Sequence, residues 1–160
     1  MRNIILFALL LGFLSCKGTA QEEDTAQAEK FPIEKSKAEW KKELSNLEYR
    51  ILREEATEPA FSSPLLEVKG SGTFVCAGCQ NPVFENQHKF ESGTGWPSFD
   101  RAIEGNVNYS KDNKLGYTRV EEHCARCGGH LGHVFKDGPE ETTGKRHCVN
   151  GAALNFKAGQ

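Results

Sequence analysis

Along this chain the spacing of apolar residues changes character near residues 16, 36 and 70. Ile4 to Leu14 is a nearly continuous apolar run behind Arg2, too short to span a bilayer comfortably, which is the pattern of an export signal. Lys17 to Lys30 contains no aromatic or branched aliphatic residue. It cannot bury enough apolar surface to offset the entropy of ordering it, and reads as a tether. From Ser36 the spacing becomes helical. Ser36 can cap, Glu39 completes a capping box, and Trp40, Leu44, Leu47 and Ile51 recur at helical intervals. A break is expected near Ser45 and Asn46, and Pro59 and Pro64 bracket an extended crossing segment.

Beyond Gly70 the runs shorten to strand length. Thr73 to Cys76, Lys114 to Val120, Leu131 to Phe135 and a closing Ala152 to Phe156 are separated by Gly, Asn, Asp and Pro. The pattern predicts a mainly β fold: a small antiparallel β-sheet domain, tent- or sandwich-like, with short N-terminal helices. The expected organisation is a signal peptide over 1–15, a lipidated tether over 16–30 and the folded domain over 31–160.

Length and charge narrow the class. The 160 residues suit one compact domain plus a tail. A net charge of -2 with interspersed signs offers no cationic stripe for a phosphate backbone, which argues against nucleic acid as a partner. Ser15 before Cys16 resembles the target of lipoprotein signal peptidase, after which Cys16 would carry lipid and hold the protein on a membrane of the cell envelope. An uncleaved anchor helix, or an ordinary signal with Cys16 as a bystander, remains open.

The other five cysteines carry the candidate chemistry. Cys76-Ala-Gly-Cys79 and Cys124-Ala-Arg-Cys127 are two Cys-x-x-Cys knuckles, and four thiolates from two such turns suit one tetrahedral zinc ion with no position left for water. Gly78, Gly128 and Gly129 are expected to supply the positive φ and close approach that knuckles need. Disulfides are the alternative in an exported chain, although a bridge between cysteines so near in sequence adds little stability.

Cys148 is left over. Arg146 and His147 precede it, and their charge would favour the thiolate. A buried structural cysteine is the competing reading. His130 and His133 flank Gly132, which can admit a bulge that turns both rings to one pocket.

These blocks, together with Ser92-Gly-Thr-Gly-Trp-Pro-Ser-Phe99, the stretch from Gly128 to Pro139, and Arg146-His-Cys-Val-Asn-Gly-Ala-Ala-Leu-Asn-Phe156, resemble the B-type methionine sulfoxide reductases from Ile33 to the C-terminus. The resemblance implies that Cys148 attacks the sulfoxide sulfur of peptide methionine (R)-S-oxide and becomes a sulfenic acid. It further implies that His133 and His130 polarise or protonate the departing oxygen, that Asn150 fixes substrate, and that Trp96 forms the wall for the terminal methyl group. Zinc at Cys76, Cys79, Cys124 and Cys127 would be structural. This sequence departs from the family at Thr94, where many relatives carry a resolving cysteine, so a thioredoxin-like or other external thiol is the expected reductant. Gly151 and His147 also replace the usual Ser and Tyr. A noncatalytic zinc-binding β module is the alternative from another class, and a Cys-x-x-Cys dithiol oxidoreductase lacks its usual βαβ setting.

Overall fold

Two helices begin the described part of the chain, residues 30–159 of this computed structural model, and both start at the same chemical signal. α1 (Lys37–Glu43) is capped by Ser36, and α2 (Asn46–Glu54) by Ser45. In each, the serine hydroxyl accepts from the N–H three residues on, while that residue's glutamate accepts from the serine N–H. The expected break is thus a second capping box, with Leu44 extended between the two helices. The signal, Cys16 and most of the tether expected from sequence lie outside the described residues. Among the described residues no helix is long and apolar enough to cross a membrane.

The rest is antiparallel sheet. β1 (Gly72–Cys76) lies between β2 (Pro82–Glu85) and β9 (Leu154–Ala158) in a three-stranded sheet. The larger sheet runs in the order β3 (Lys89–Phe90), β4 (Ser98–Phe99), β8 (Arg146–Val149), β7 (His130–Phe135), β6 (Arg119–Cys124), β5 (Val107–Asp112). Phe74, Phe84 and Phe99 are fully buried in the core, with Phe84 stacked on Phe99 at 4.4 Å and Phe74 edge-on to it at 5.0 Å. Trp40, Ile51 and Leu52 bring the helices into the same cluster.

Two strand expectations need correction. Lys114 to Val120 is mostly a turn: the Asp112 carboxylate accepts from the Lys114 N–H, and β6 starts only at Arg119. Leu115 and Tyr117 there are exposed, so no burial favoured a strand. The closing strand starts at Leu154, because Gly151–Ala153 forms a 3-10 turn whose first two N–H groups donate to the Glu58 carboxylate instead of to a neighbouring strand.

On the core side of the larger sheet a buried ionisable pair replaces an apolar contact. His147 Nδ1 lies 2.7 Å from Glu122 Oε2, with Phe84 5.8 Å from the imidazole and Tyr109 6.2 Å from it. Burial pushes the Glu122 carboxyl up, and His147 partly opposes the shift. Removing one member of such a pair leaves the other unpaired at a cost of about 3–5 kcal/mol. Glu122→Ala is therefore expected to lose about that much stability in urea titration. A loss under about 1 kcal/mol, the range of a surface pair, would show that the two groups do not depend on each other.

Candidate active site and metal centre

The two Cys-x-x-Cys turns come from different sheets. Cys76 ends β1 and Cys79 lies in the turn to β2, whereas Cys124 ends β6 and Cys127 lies in the turn to β7. All four ligand atoms fall within 4.8 Å of one another. Cys76 and Cys127 sulfurs are 3.7 Å apart, and Cys79 and Cys124 3.5 Å. A tetrahedron with metal–sulfur bonds of about 2.3 Å has edges of about 3.8 Å, so the donors fit one ion. Hydrogen bonding among the sulfurs, from Cys127 foremost, holds the Cys124 thiol far below its ordinary range, while the contact with Cys124 pushes Cys76 and Cys127 up. Four sulfurs this close cannot all ionise unaided, and a dication removes that conflict.

The knuckle backbones differ in part from expectation. Of the three glycines expected to allow positive φ, only Gly128 has it, at 64°; the corresponding residue of the first knuckle is Gln80, at 60°. Gly78 and Gly129 instead make room for the helices, whose Leu52, Trp40 and Arg53 side chains pack against them. Arg53 donates through both terminal nitrogens to the Cys127 carbonyl at 3.0 Å and reaches the Cys127 sulfur at 3.7 Å, and Asn81 Nδ2 lies 3.6 Å from the Cys124 sulfur.

The fifth described cysteine stands apart from this cluster, on the central strand β8. Cys148 pairs with Ser98 of β4 on one side and with His133 of β7 on the other, and His133 pairs with Glu121 of β6. Residues paired across a sheet share a face, so sulfur, imidazole and carboxylate form one row. The strands meet unusually closely here: a Cβ at Gly132 would lie 2.0 Å from the Cys148 carbonyl oxygen, which only glycine avoids. The register between β6 and β7 shifts, with Glu122 opposite Gly132 and His123 opposite His130, leaving Leu131 as the bulged residue. The bulge expected beside Gly132 thereby puts His130 and His133 on one side, their rings edge-on at 5.4 Å.

Cys148, His133, Trp96, Arg119, Phe135 and Asn150 line a pocket of about 150 Å³. Burial pushes the Cys148 thiol up; the Arg146 charge and hydrogen bonding with Thr94 and Arg146 offset this only in part, and Glu122 adds to it. The sequence expectation of a favoured thiolate holds for Arg146 alone, because His147 is turned to the core side and paired with Glu122. Arg146 is itself held by Asp137 at 3.0 and 2.8 Å and lies over Phe135.

Each imidazole has its own carboxylate. His130 Nδ1 lies 2.7 Å from Glu121, and His133 Nε2 2.8 Å from Asp112. His130 is buried behind the pocket and is not part of its wall. Asn150 lines the pocket, yet both ends of its amide are used by the main chain: Oδ1 accepts from the Glu58 N–H and Nδ2 donates to the Leu131 carbonyl, each at 3.0 Å. Trp96 Nε1 donates to the Glu58 carbonyl at 3.2 Å. Glu58, which no sequence motif singles out, thus links the pocket wall, Asn150 and the 3-10 turn after β8. Its signal in sequence is weak, since a buried carboxylate that binds distant backbone leaves no local pattern.

An antiparallel β protein that joins two Cys-x-x-Cys turns at one metal-ready centre, and places a separate thiol beside an imidazole in a pocket, defines a class of β proteins with a four-cysteine cluster and a separate thiol pocket. The chain belongs to the SelR domain family, whose model matches residues 44–158. It is 48% identical over 128 residues to the peptide methionine sulfoxide reductase MsrB of Leptospira interrogans, covering 79% of this chain and 97% of that relative. It is 50% identical over 124 residues to the protein of the same name from Bradyrhizobium diazoefficiens, covering 77% of this chain and 88% of the relative. The relative of that name from Methanosarcina barkeri is 48% identical over 126 residues, with 78% of this chain and 88% of the relative covered.

Two measurements follow from this geometry. Cys76→Ser should lower bound metal well below one ion per chain by elemental analysis and reduce the melting temperature by at least about 10 °C; an unchanged melt after verified metal loss would show that the cluster does not hold the sheets together. The second concerns acid. The Lys114 N–H, His133 and Arg119 hold the Asp112 carboxyl down to about 2. Its contribution to stability is complete above the ordinary carboxylate value of about 3.9 and is lost as pH falls through about 2. The stability gap between wild type and Asp112→Asn should therefore shrink as pH falls from about 4 toward 2, and a gap that does not shrink across that window would refute the assignment.

Proposed function

We propose that this protein reduces methionine (R)-S-oxide in peptides and proteins, with Cys148 as nucleophile, one structural zinc ion at Cys76, Cys79, Cys124 and Cys127, and an external thiol as reductant. The observation that carries this reading is the Cys148 sulfur beside His133 and Trp96 in one pocket of a SelR-family chain. A noncatalytic zinc module would need the four-sulfur cluster but not this second, separate thiol.

In the reaction, the Cys148 thiolate attacks the sulfoxide sulfur. A sulfur–sulfur bond forms, and the oxygen, on which negative charge builds, takes a proton from His133; the hydroxyl then passes from the methionine sulfur to the Cys148 sulfur as the sulfur–sulfur bond breaks with its electron pair left on methionine, giving the thioether and a cysteine sulfenic acid. His130 acts from behind, through its edge contact with His133. Trp96 receives the methyl group, and the oxygen then faces the imidazole, which selects one epimer. Asn150 contributes by fixing the pocket wall rather than through a free amide. Zinc, when bound, supplies no reacting group, because four thiolates complete its coordination.

Regeneration follows a one-cysteine course. Among the described residues every cysteine besides Cys148 belongs to the four-sulfur cluster, and the loop before Trp96 carries a hydroxyl, Thr94, where a resolving thiol would be needed. One external thiol condenses with the sulfenic acid to a mixed disulfide and water, and a second releases the Cys148 thiol. The reading extends to an exported protein held at a membrane of the cell envelope by lipid on Cys16, for which the apolar run over Ile4 to Leu14 and the Ser15–Cys16 junction are the support.

Turnover of separated R and S epimers with a chemical thiol tests the whole scheme. Wild type should consume the R epimer alone, and Cys148→Ser should lose at least about a thousandfold in kcat/KM. Mass spectrometry after one substrate equivalent should find sulfenic acid on Cys148; an internal disulfide at Cys148 would replace the one-cysteine course.

A further inference from the structure

Asp112 has no part in the scheme above, yet its carboxylate reaches the centre of it. It closes β5, three strands away from the nucleophile, in cross-strand register with Arg119 of β6. Its Oδ2 atom lies 2.8 Å from His133 Nε2 and also accepts from Arg119 Nη2, while Oδ1 accepts from the Lys114 N–H at 2.9 Å. The carboxylate is itself buried, and its three donors fix its position. A carboxylate in its ionised state only accepts, so the Nε2 atom it meets must carry the proton.

We propose that Asp112 is a positioning residue for the reduction: by accepting the Nε2 proton of His133 it fixes the ring so that the opposite nitrogen, Nδ1, is the atom that serves the substrate oxygen. This rests on the catalytic role given to His133 under the proposed function. Nε2 is occupied, so no other ring nitrogen is left for the substrate. The neighbouring pair has the opposite sense, because Glu121 engages His130 at Nδ1. The two rings therefore cannot exchange roles.

The same contact governs when His133 can act as an acid. Burial lowers its proton affinity and so do Arg119 and His130, whereas Asp112 raises it. The other groups around the ring are Glu121 on β6, engaged by His130, and Cys148 on β8, its cross-strand partner. Asp112 is thus the carboxylate bonded directly to His133, and its negative charge favours the imidazolium, the only form that can give a proton from Nδ1 while Nε2–H stays bonded to Asp112.

Nitrogen-15 NMR of the imidazoles and pH profiles of kcat/KM for the R epimer, in wild type and Asp112→Asn, test the assignment together. In wild type the neutral His133 ring should carry its proton on Nε2. A proton on Nδ1 overturns the proposal without recourse to any variant or assay, and so still decides it if Asp112→Asn fails to fold. In Asp112→Asn, which keeps the shape but not the charge, the alkaline limb should move to lower pH by about one unit or more, with kcat/KM above that limb reduced about tenfold or more and KM little changed. Asp112→Glu should recover part of the limb. A folded Asn variant whose profile and His133 titration match wild type would show that Asp112 only braces the hairpin, and so would reject the proposal. Absence of R-epimer turnover in wild type would instead reject the proposed function, and the tautomer measurement would still decide the Asp112–His133 geometry.

Discussion

The junction of four sulfurs is the constraint on which the remainder depends. One knuckle closes the turn after β1 and the other the turn after β6, so a single centre ties the small sheet to the large one across 45 or more residues of sequence. A link between such distant segments removes far more freedom from the unfolded chain than a bridge inside either turn. The helices are subordinate to it. α1 and α2 rest on the knuckles through Trp40, Leu52 and Arg53, and Arg53 turns its guanidinium to a cysteine carbonyl and sulfur instead of to solvent. Charge explains that choice, because four thiolates around a dication would leave negative charge that a nearby guanidinium would offset.

Once the sheets are joined, the row that holds Cys148 and His133 is a consequence of antiparallel pairing. Ser98, Cys148, His133 and Glu121 occupy one line across four strands because side chains alternate faces and paired positions coincide. Bulging at Leu131 then adds His130 to a face it would otherwise leave. The opposite face of β8 holds a different chemistry: His147 is spent on Glu122 in the core, one residue from Cys148 but separated from it by the thickness of the sheet. Adjacent in sequence, the two residues work in separate environments.

Glu58 shows how the pocket is kept still. Its backbone carbonyl holds Trp96, its N–H holds Asn150, and its carboxylate takes the N–H groups of Gly151 and Ala152. Glycine at position 151 has a local reason as well. A Cβ on Gly151 would lie 1.9 Å from the Ser63 hydroxyl, which accepts from the Leu65 N–H at the start of a 3-10 turn, so a serine here would have to displace that cap.

Much of this was legible without coordinates. Paired Cys-x-x-Cys spacing specifies a four-thiolate set wherever the turns end up, the capping box announces the first helix, and short apolar runs separated by turn residues announce sheet. With Cys16 set aside in the leader region, cysteine arithmetic isolates Cys148, because the two Cys-x-x-Cys pairs take the other four sulfurs. Tertiary structure alone decided which carboxylate meets which imidazole, that His147 turns away from Cys148 while Arg146 reaches it, and that Gln80 rather than a glycine takes the left-handed turn of the first knuckle. It also decided that burial raises the proton affinity of Cys148 despite the adjacent positive charge. Local signals are written in spacing and propensity, which the chain carries with it; partners across strands depend on register, on one bulge and on burial, and these exist only after the sheets have closed.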